Sequence, residues 1–380
     1  MWERWKEGWT LHPIGKLFDR AHTSVQGISG TPRRHTDGRC MKKLATVTVM
    51  AAAAASASAQ SSLTLFGVID VGARYTDNAD DSVKSLSTGG LNSNRLGFRG
   101  VEDLGDGFKA NFWLEAGIRP DTGSSADTSR FWDRRATVGL SWGFGEGRLG
   151  RDKVPTNTAV EEFDAFTDNG VAAIGHFFDK LGTNVDTQKR ADNMIGYFLP
   201  SGLGGLYGNA SVAAGEATNG KKFVGGRIGY EAGPFDVSLA YSETAVSPLS
   251  GFGGDDKYKV LVVGGKWDFG LATILGEYIE DKYSSRKAVI YNVGVIVPFG
   301  ANQIRAGYAA VNGKGPGFDA SDAKQFALGF VHKLSKRTAL YATAATIDND
   351  GGAKYVVDSS PPLPAGGRST GYEAGIRHSF

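Results

Sequence analysis

Past residue 60 the chain alternates apolar with polar or small residues, in stretches of about 8–12. Leu63-Thr-Leu-Phe-Gly-Val-Ile-Asp-Val-Gly, Phe108-Lys-Ala-Asn-Phe-Trp-Leu-Glu-Ala, Phe235-Asp-Val-Ser-Leu-Ala-Tyr-Ser and Tyr372-Glu-Ala-Gly-Ile-Arg-His-Ser-Phe are clear examples. A period of two is the mark of a half-buried strand. About sixteen such stretches begin near residues 62, 93, 108, 133, 146, 190, 206, 221, 235, 257, 271, 288, 302, 324, 338 and 370. Clusters of Gly, Asp, Asn and Ser separate them, and proline is almost absent within them, as ladder hydrogen bonding requires. Some connections are tight, such as Leu104-Gly-Asp-Gly and Trp142-Gly-Phe-Gly-Glu.

One face of these strands is uniformly apolar and the other is charged. From Lys257, one parity gives Leu261, Val263, Gly265, Trp267 and Phe269, and the other gives Lys266 and Asp268. From Ala288, one parity gives Val289, Tyr291, Val293, Val295 and Val297. A soluble sandwich has no use for a charged inner face over sixteen strands. An even number of ~10-residue strands with aromatics at their ends fits a transmembrane barrel. Closure leaves no strand edge unpaired in lipid. No run reaches the ~18 apolar residues of a membrane helix. The pattern predicts an all-β fold, a 16-stranded antiparallel transmembrane β-barrel. Its interior is wide enough to be a water-filled channel rather than a packed core.

Composition refines this. Glycine numbers 54 of 380 residues, about twice the usual ~7%. Met41-Lys42-Lys43, the apolar run Leu44–Ala55 and the small-x-small site Ala57-Ser58-Ala59 read as a secretory signal peptide cleaved before Gln60. Residues 1–40 then form an upstream extension, with translation expected from Met41. The alternative is a tryptophan-rich leader carrying Trp2, Trp5 and Trp9. Residues 60–380 are the barrel. Without residues 1–59, 33 basic and 36 acidic residues remain, a net charge of −3 instead of +2. No nucleic-acid footprint survives. Cys40 is also lost, so disulfides are not expected. Only His176, His332 and His378 are left, too few for a histidine metal centre. No metal, cofactor or catalytic residue is expected. Gly145-x-Gly147-x-x-Gly150 mimics a dinucleotide fingerprint but lies between strands, with no helix to follow. Asp103-Leu-Gly-Asp-Gly lacks the later ligands of a calcium loop. His332 and His378 share parity with Phe330 and Phe380 and are expected to face lipid.

Parity also sends charges inward. Arg95 and Arg99 lie beside outward Leu96 and Phe98, Arg135 beside Val138 and Leu140, and Arg190 beside Ile195 and Tyr197. Arg74, Arg227, Arg305 and Arg377 are inward by the same rule. The longest stretch without strand pattern, Pro155 to Lys189, offers Glu161, Glu162, Asp164 and Asp168. Long ordered loops usually carry function.

Ser62-Leu-Thr-Leu-Phe-Gly-Val-Ile-Asp-Val-Gly resembles the first strand of the trimeric general porins of Gram-negative bacteria, with its nearest flavour in the betaproteobacterial branch. The same holds for Asn94-Arg-Leu-Gly-Phe-Arg-Gly-Val-Glu-Asp-Leu-Gly-Asp-Gly-Phe-Lys-Ala, Gly147-Arg-Leu-Gly-Arg, Leu334-Ser-Lys-Arg-Thr-Ala-Leu-Tyr and Gly375-Ile-Arg-His-Ser-Phe380. The resemblance runs from Gln60 to Phe380. It implies an outer-membrane homotrimer whose third outer loop folds into the pore as a constriction. It implies a ladder of basic wall residues there, matched by Arg95, by one or both of Arg134 and Arg135, and by Arg190. The loop acids would face that ladder. The terminal strand, with Tyr372, Ile376 and Phe380, resembles the signal read by the outer-membrane assembly machinery. Expected partners are outer-membrane lipid and lipopolysaccharide, and small hydrophilic solutes and ions that diffuse passively with anions favoured. The alternative is a substrate-specific channel for organic anions on the same barrel.

Overall fold

A computed structural model describes residues 62–78, 81–249, 256–358 and 361–380. The upstream extension, the signal peptide and its cleavage site lie outside these residues. The described chain is almost all antiparallel strand. In order these are β1 (Ser62–Asn78), β2 (Asp81–Thr88), β3 (Arg95–Gly105), β4 (Phe108–Arg119), the two-residue β5 (Ser124–Ser125), β6 (Arg135–Trp142), β7 (Gly145–Lys153), β8 (Arg190–Phe198) and β9 (Leu206–Ala213). There follow β10 (Phe223–Ala232), β11 (Phe235–Ala245), β12 (Lys257–Asp268), β13 (Thr273–Tyr283), β14 (Arg286–Phe299), β15 (Asn302–Lys314), β16 (Ser321–Lys333), β17 (Thr338–Gly351) and β18 (Arg368–Ser379).

Neighbours in sequence pair around the wall, and β1 pairs β18 from Val68↔Ser379 to Asp77↔Thr370, which closes the barrel. Phe380 completes the seam: its N–H donates to the Gly67 carbonyl and its carbonyl accepts from the Gly67 N–H, each at 3.1 Å. β1 is long enough to pair β3 with one half and β2 with the other. β2 and β3 thus share one wall position and β5 is a loop hairpin, which leaves sixteen positions.

The strands begin within a few residues of the expected places. β2 escaped the sequence reading because Asp81-Ser-Val-Lys-Ser-Leu-Ser-Thr carries only two large apolar residues, Val83 and Leu86. Side chains alternate as expected: Val263, Tyr291, Val293, Leu328 and Phe330 are exposed on the outside, whereas Arg227, Glu277 and Glu373 are buried on the inside. Neither false motif is a ligand loop: Gly145 to Gly150 lie within β7, next to its bulge, and Asp103-Leu-Gly-Asp-Gly runs into the β3–β4 turn. Gly145 and Gly150 have φ of 136° and 124°, which only glycine adopts freely, and the Asp103 carboxylate caps the Gly105 N–H at 2.9 Å. His332 and His378 bond Asn302 and Thr338 from the outward parity.

The interior departs from an open tube. Residues 154–189 pack against the inward faces of the wall. Ala159, Val160, Phe166, Val171, Ile174, Phe177, Leu181 and Val185 form one buried cluster with Ala240, Val262, Ile279 and Ile290. Part of the barrel therefore has a dry core. The sequence held the signal, since Val260–Val263 and Ala288–Tyr291 are apolar at both parities, as strands covered on both faces must be.

Candidate pore constriction

Pro155 opens helix α1 (Pro155–Phe163) at its first turn, where its missing N–H costs nothing. Pro155, Thr156, Ala159, Val160 and Phe163 are buried on one face. Thr158, Glu161 and Glu162 fall on the other, because positions three and four apart share a side of a helix. The chain then turns over residues 165–168, where the Thr167 N–H donates to the Asp164 carbonyl at 3.1 Å, and goes on to short 3-10 turns at Gly170–Ala172 and Ile174–Phe177.

Its course follows a bed of glycines on the inner wall. A methyl group added to Gly264 of β12 would strike the Phe163 ring. One on Gly294 of β14 would stand 2.7 Å from the Ala165 methyl, and one on Gly307 of β15 or Gly329 of β16 would stand 3.2 or 2.9 Å from the Phe166 ring. One on Gly371 of β18 would stand 2.8 Å from Val171. None of these five glycines has positive φ, so space rather than backbone conformation demands them. Polar wall residues reach the same segment: Arg305 donates to the Ala165 carbonyl at 3.2 Å, Gln325 to the Ala172 carbonyl at 3.0 Å, and Glu373 accepts from the Val171 N–H at 3.2 Å.

Opposite the outer face of α1, a polar cleft of about 450 Å³ is lined by Arg134, Arg135, Arg148, Lys153, Arg190 and Arg227, with Glu115 and Asp152 among them. Arg134 bonds Glu115 at 2.6 Å, and Arg95 approaches the same carboxylate at 3.5 Å. Arg135 lies 3.6 Å from Asp152, which Arg148 also bonds at 2.7 Å. The Arg135 guanidinium lies over the Trp113 ring and that of Arg148 over Phe198, at 4.5 and 3.9 Å from the centroids. Arg190 donates to the Arg134 carbonyl at 2.9 Å, and among the described residues no carboxylate is within ion-pair distance of it. Both Arg134 and Arg135 line the cleft, so the two are not alternatives.

The four loop acids divide. Glu161 pairs with Lys153 and acts electrostatically on Arg95 and Arg190. Glu162 pairs with Arg227 at 2.5 Å and with Lys266 at 3.5 Å. Asp164 and Asp168 hold the segment in shape instead. Asp164 accepts the Asp168 N–H at 2.7 Å and an Asn292 N–H at 3.3 Å, and burial pushes its carboxyl up to about 6. Asp168 accepts the Gly175 N–H and pairs with Lys189, each at 2.7 Å. Burial holds the His176 imidazole down at about 4, so it is neutral near pH 7.

The other inward arginines are spread around the wall. Arg74 is tied to Glu373 at 2.6 Å and to Asp358, Arg305 to the loop, and Arg377 to Ser379 at 2.9 Å, while Arg99 lies over Phe66 and Trp113. Sequence reading missed Glu115, Asp152, Arg148 and Lys153. The register gives a signal for two of them, because Glu115 stands directly opposite Arg135 and Lys153 directly opposite Arg190.

The sequence profile of the Gram-negative porins matches residues 46–352. Outer membrane porin protein 32 of Delftia acidovorans is 36% identical, the alignment covering 90% of this chain and all of that one. An outer membrane porin protein of Bordetella pertussis is 30% identical over 89% of this chain and all of its own length. Among solved structures, an anion-selective porin from Comamonas acidovorans superposes with a TM-score of 0.76 at 33% identity, covering 84% of this chain and all of that one. A trimer form of OmpT of Vibrio cholerae, at 16% identity and a TM-score of 0.60, shares the fold.

Proposed function

The chain belongs to the Gram-negative porin family, and from that premise we propose that this outer-membrane porin is a general diffusion channel that favours anions. The carrying observation is the basic cleft facing α1. Among the described residues, Arg95, Arg134, Arg190 and Lys153 meet only Glu115 and Glu161 as close acids, which leaves a positive excess across the cleft from α1. A passive pore selects through its bore and the charges that line it. The anion selectivity named for the Comamonas porin supports the same sign here. Segment 155–189 narrows the lumen, and the ladder together with Glu161 sets a transverse field across the gap.

Catalysis has no part in this reading, as the matched relatives are channels. The barrel works as a homotrimer, a form on record for the OmpT fold relative. Tyr372, Ile376 and Phe380 serve as the assembly signal of the closing strand. The mature chain begins at Gln60.

Reconstitution in planar bilayers tests the proposal. Under a KCl gradient the reversal potential should have the sign of chloride preference, with an ohmic conductance that no single organic anion blocks. Cation preference would overturn the selectivity. Saturable block by one organic anion would favour the substrate-specific channel. A monomer in native mass spectrometry from mild detergent would remove the trimer.

A further inference from the structure

The wall position shared by β2 and β3 is interrupted halfway. β1 pairs β2 as far as Val71↔Thr88 and takes up β3 from Val68↔Arg95. Between those registers β1 spends two residues, Ile69 and Asp70, while the other side spends six, 89–94. The surplus turns inward, where Leu91 is buried with Val331, Ala339 and Tyr341. A broken strand leaves backbone groups unpaired at a depth where lipid offers them no partner. Asp70, which has no exposed surface, meets most of this need. Its carboxylate accepts from the N–H groups of Leu91 and Asn92 at 2.8 and 2.6 Å and from the Tyr341 hydroxyl at 2.7 Å. Its own backbone N–H and carbonyl both bond the Asn94 side chain. A continuous strand would satisfy the same groups without burying a carboxylate, so the wall itself does not need the turn.

The inner side of the turn reaches both parts of the constriction. The Ser93 hydroxyl donates to the Asn169 side-chain carbonyl at 2.9 Å, in the middle of segment 155–189. The Ser93 backbone carbonyl accepts from Arg95 Nε at 3.1 Å. A methyl group on Gly170 would stand 2.5 Å from the Gly90 carbonyl oxygen, so turn and segment also meet through their backbones. Ser93 thus holds a ladder arginine with its backbone and the inward segment with its side chain.

We propose that turn 89–94 is a strut that fixes the distance between segment 155–189 and Arg95, with Ser93 and Asp70 as positioning residues of the pore. The glycine bed seats the segment from Gly264 round to Gly371. The strut holds it from the next stretch of wall, across the β18–β1 seam. Without it the segment keeps its bed but is free to move relative to Arg95. The proposal rests on the reading that segment 155–189 narrows the lumen, and it does not depend on which ion the pore favours.

Two readouts on the folded barrel carry the test. Trypsin cleavage after Lys180 or Lys189 follows how often the segment leaves the wall. Open-channel noise in planar bilayers follows how steadily it stands in the pore. Ser93→Ala should speed cleavage about fivefold, the effect of one lost hydrogen bond, and should raise the noise. In an Asn169→Ala background the same change should do neither, because the other half of the bond is already gone. Ser93→Thr, which keeps the hydroxyl, should behave as the parent. Asp70→Asn should raise both readouts further; if it fails to fold, the Ser93 and Asn169 variants decide. Unchanged cleavage in Ser93→Ala, faster cleavage with unchanged noise, or effects that add in the double variant would each overturn the proposal. Parent channels nicked by trypsin should conduct more; if they do not, the narrowing fails and the strut with it. Cation preference alongside the expected noise would leave the strut standing and remove only the ion preference.

Discussion

Among the described residues Arg190 is the ladder charge with no carboxylate within ion-pair distance, so its removal gives a clean test of how the cleft selects ions. The near groups are Arg95, Arg134, Arg190 and Lys153 against Glu115 and Glu161, an excess of two positive charges. Arg190→Gln halves that excess. A unit charge ~6 Å from a passing ion contributes about 0.7 kcal/mol in water. Salt at 0.1 M, with a Debye length of ~10 Å, cuts this to about 0.4 kcal/mol. The charge acts with opposite sign on anion and cation, so their ratio moves by ~0.8 kcal/mol, or about fourfold. The lower effective dielectric of a narrow pore enlarges this, and a loss of about three- to tenfold in the chloride-to-potassium permeability ratio is expected. Glu115→Gln should raise the ratio by a similar factor, and Arg190→Lys should leave it near the parent value. The assay is the reversal potential of single channels under a tenfold KCl gradient. An unchanged ratio in Arg190→Gln, or a fall in Glu115→Gln, would refute the view that net charge at this cleft controls selectivity.

Three further outcomes are expected. Gly329→Leu should push the Phe166 ring off the wall and lower the unitary conductance while keeping the sign of selectivity; overpacking of this kind costs about 1–3 kcal/mol, so unfolding in urea should also shift. Docking of segment 155–189 should be nearly flat between pH 4 and 6, because two buried groups oppose each other. His176, lowered from 6.5 to about 4, loses docking stability as pH falls through that window, whereas Asp164, raised from 3.8 to about 6, loses it as pH rises. Asp164→Asn should therefore loosen the segment toward acid and His176→Gln toward neutral pH, read as proteolysis of the segment in the folded barrel. Edman sequencing of the outer-membrane form should begin at Gln60, and a start upstream of Met41 would end the signal-peptide reading.

Much of this molecule is legible in its period of two. Alternation located the strands and sent Arg95, Arg135 and Arg190 inward, because a closed barrel in lipid permits one apolar face and one polar face. What escaped followed from facts that alternation does not encode. The acids of the cleft are set by cross-strand register, which brings Glu115 opposite Arg135 although twenty residues separate them. The dry half of the interior depends on a loop far away in sequence, so the doubly apolar runs at Val260 and Ala288 mark strands covered on both faces without saying what covers them. The roles of the loop acids depended on helix phase. Glu161 and Glu162 share the exposed side of α1, while Asp164 lies past its end and turns back into the wall.

The glycine bed has a consequence for the order of assembly. Phe163 rests on Gly264, Phe166 on Gly329 and Val171 on Gly371, partners one hundred to two hundred residues further along the chain. Every strand that seats the segment is made after the segment itself. A chain that has inserted only its first half has the basic wall and the loop but none of the glycines on which the loop lies. Loop closure over such distances is entropically late. The seating of segment 155–189 is thus a property of the finished cylinder, completed when β18 meets β1, and a barrel truncated before Gly371 would lack its last seat.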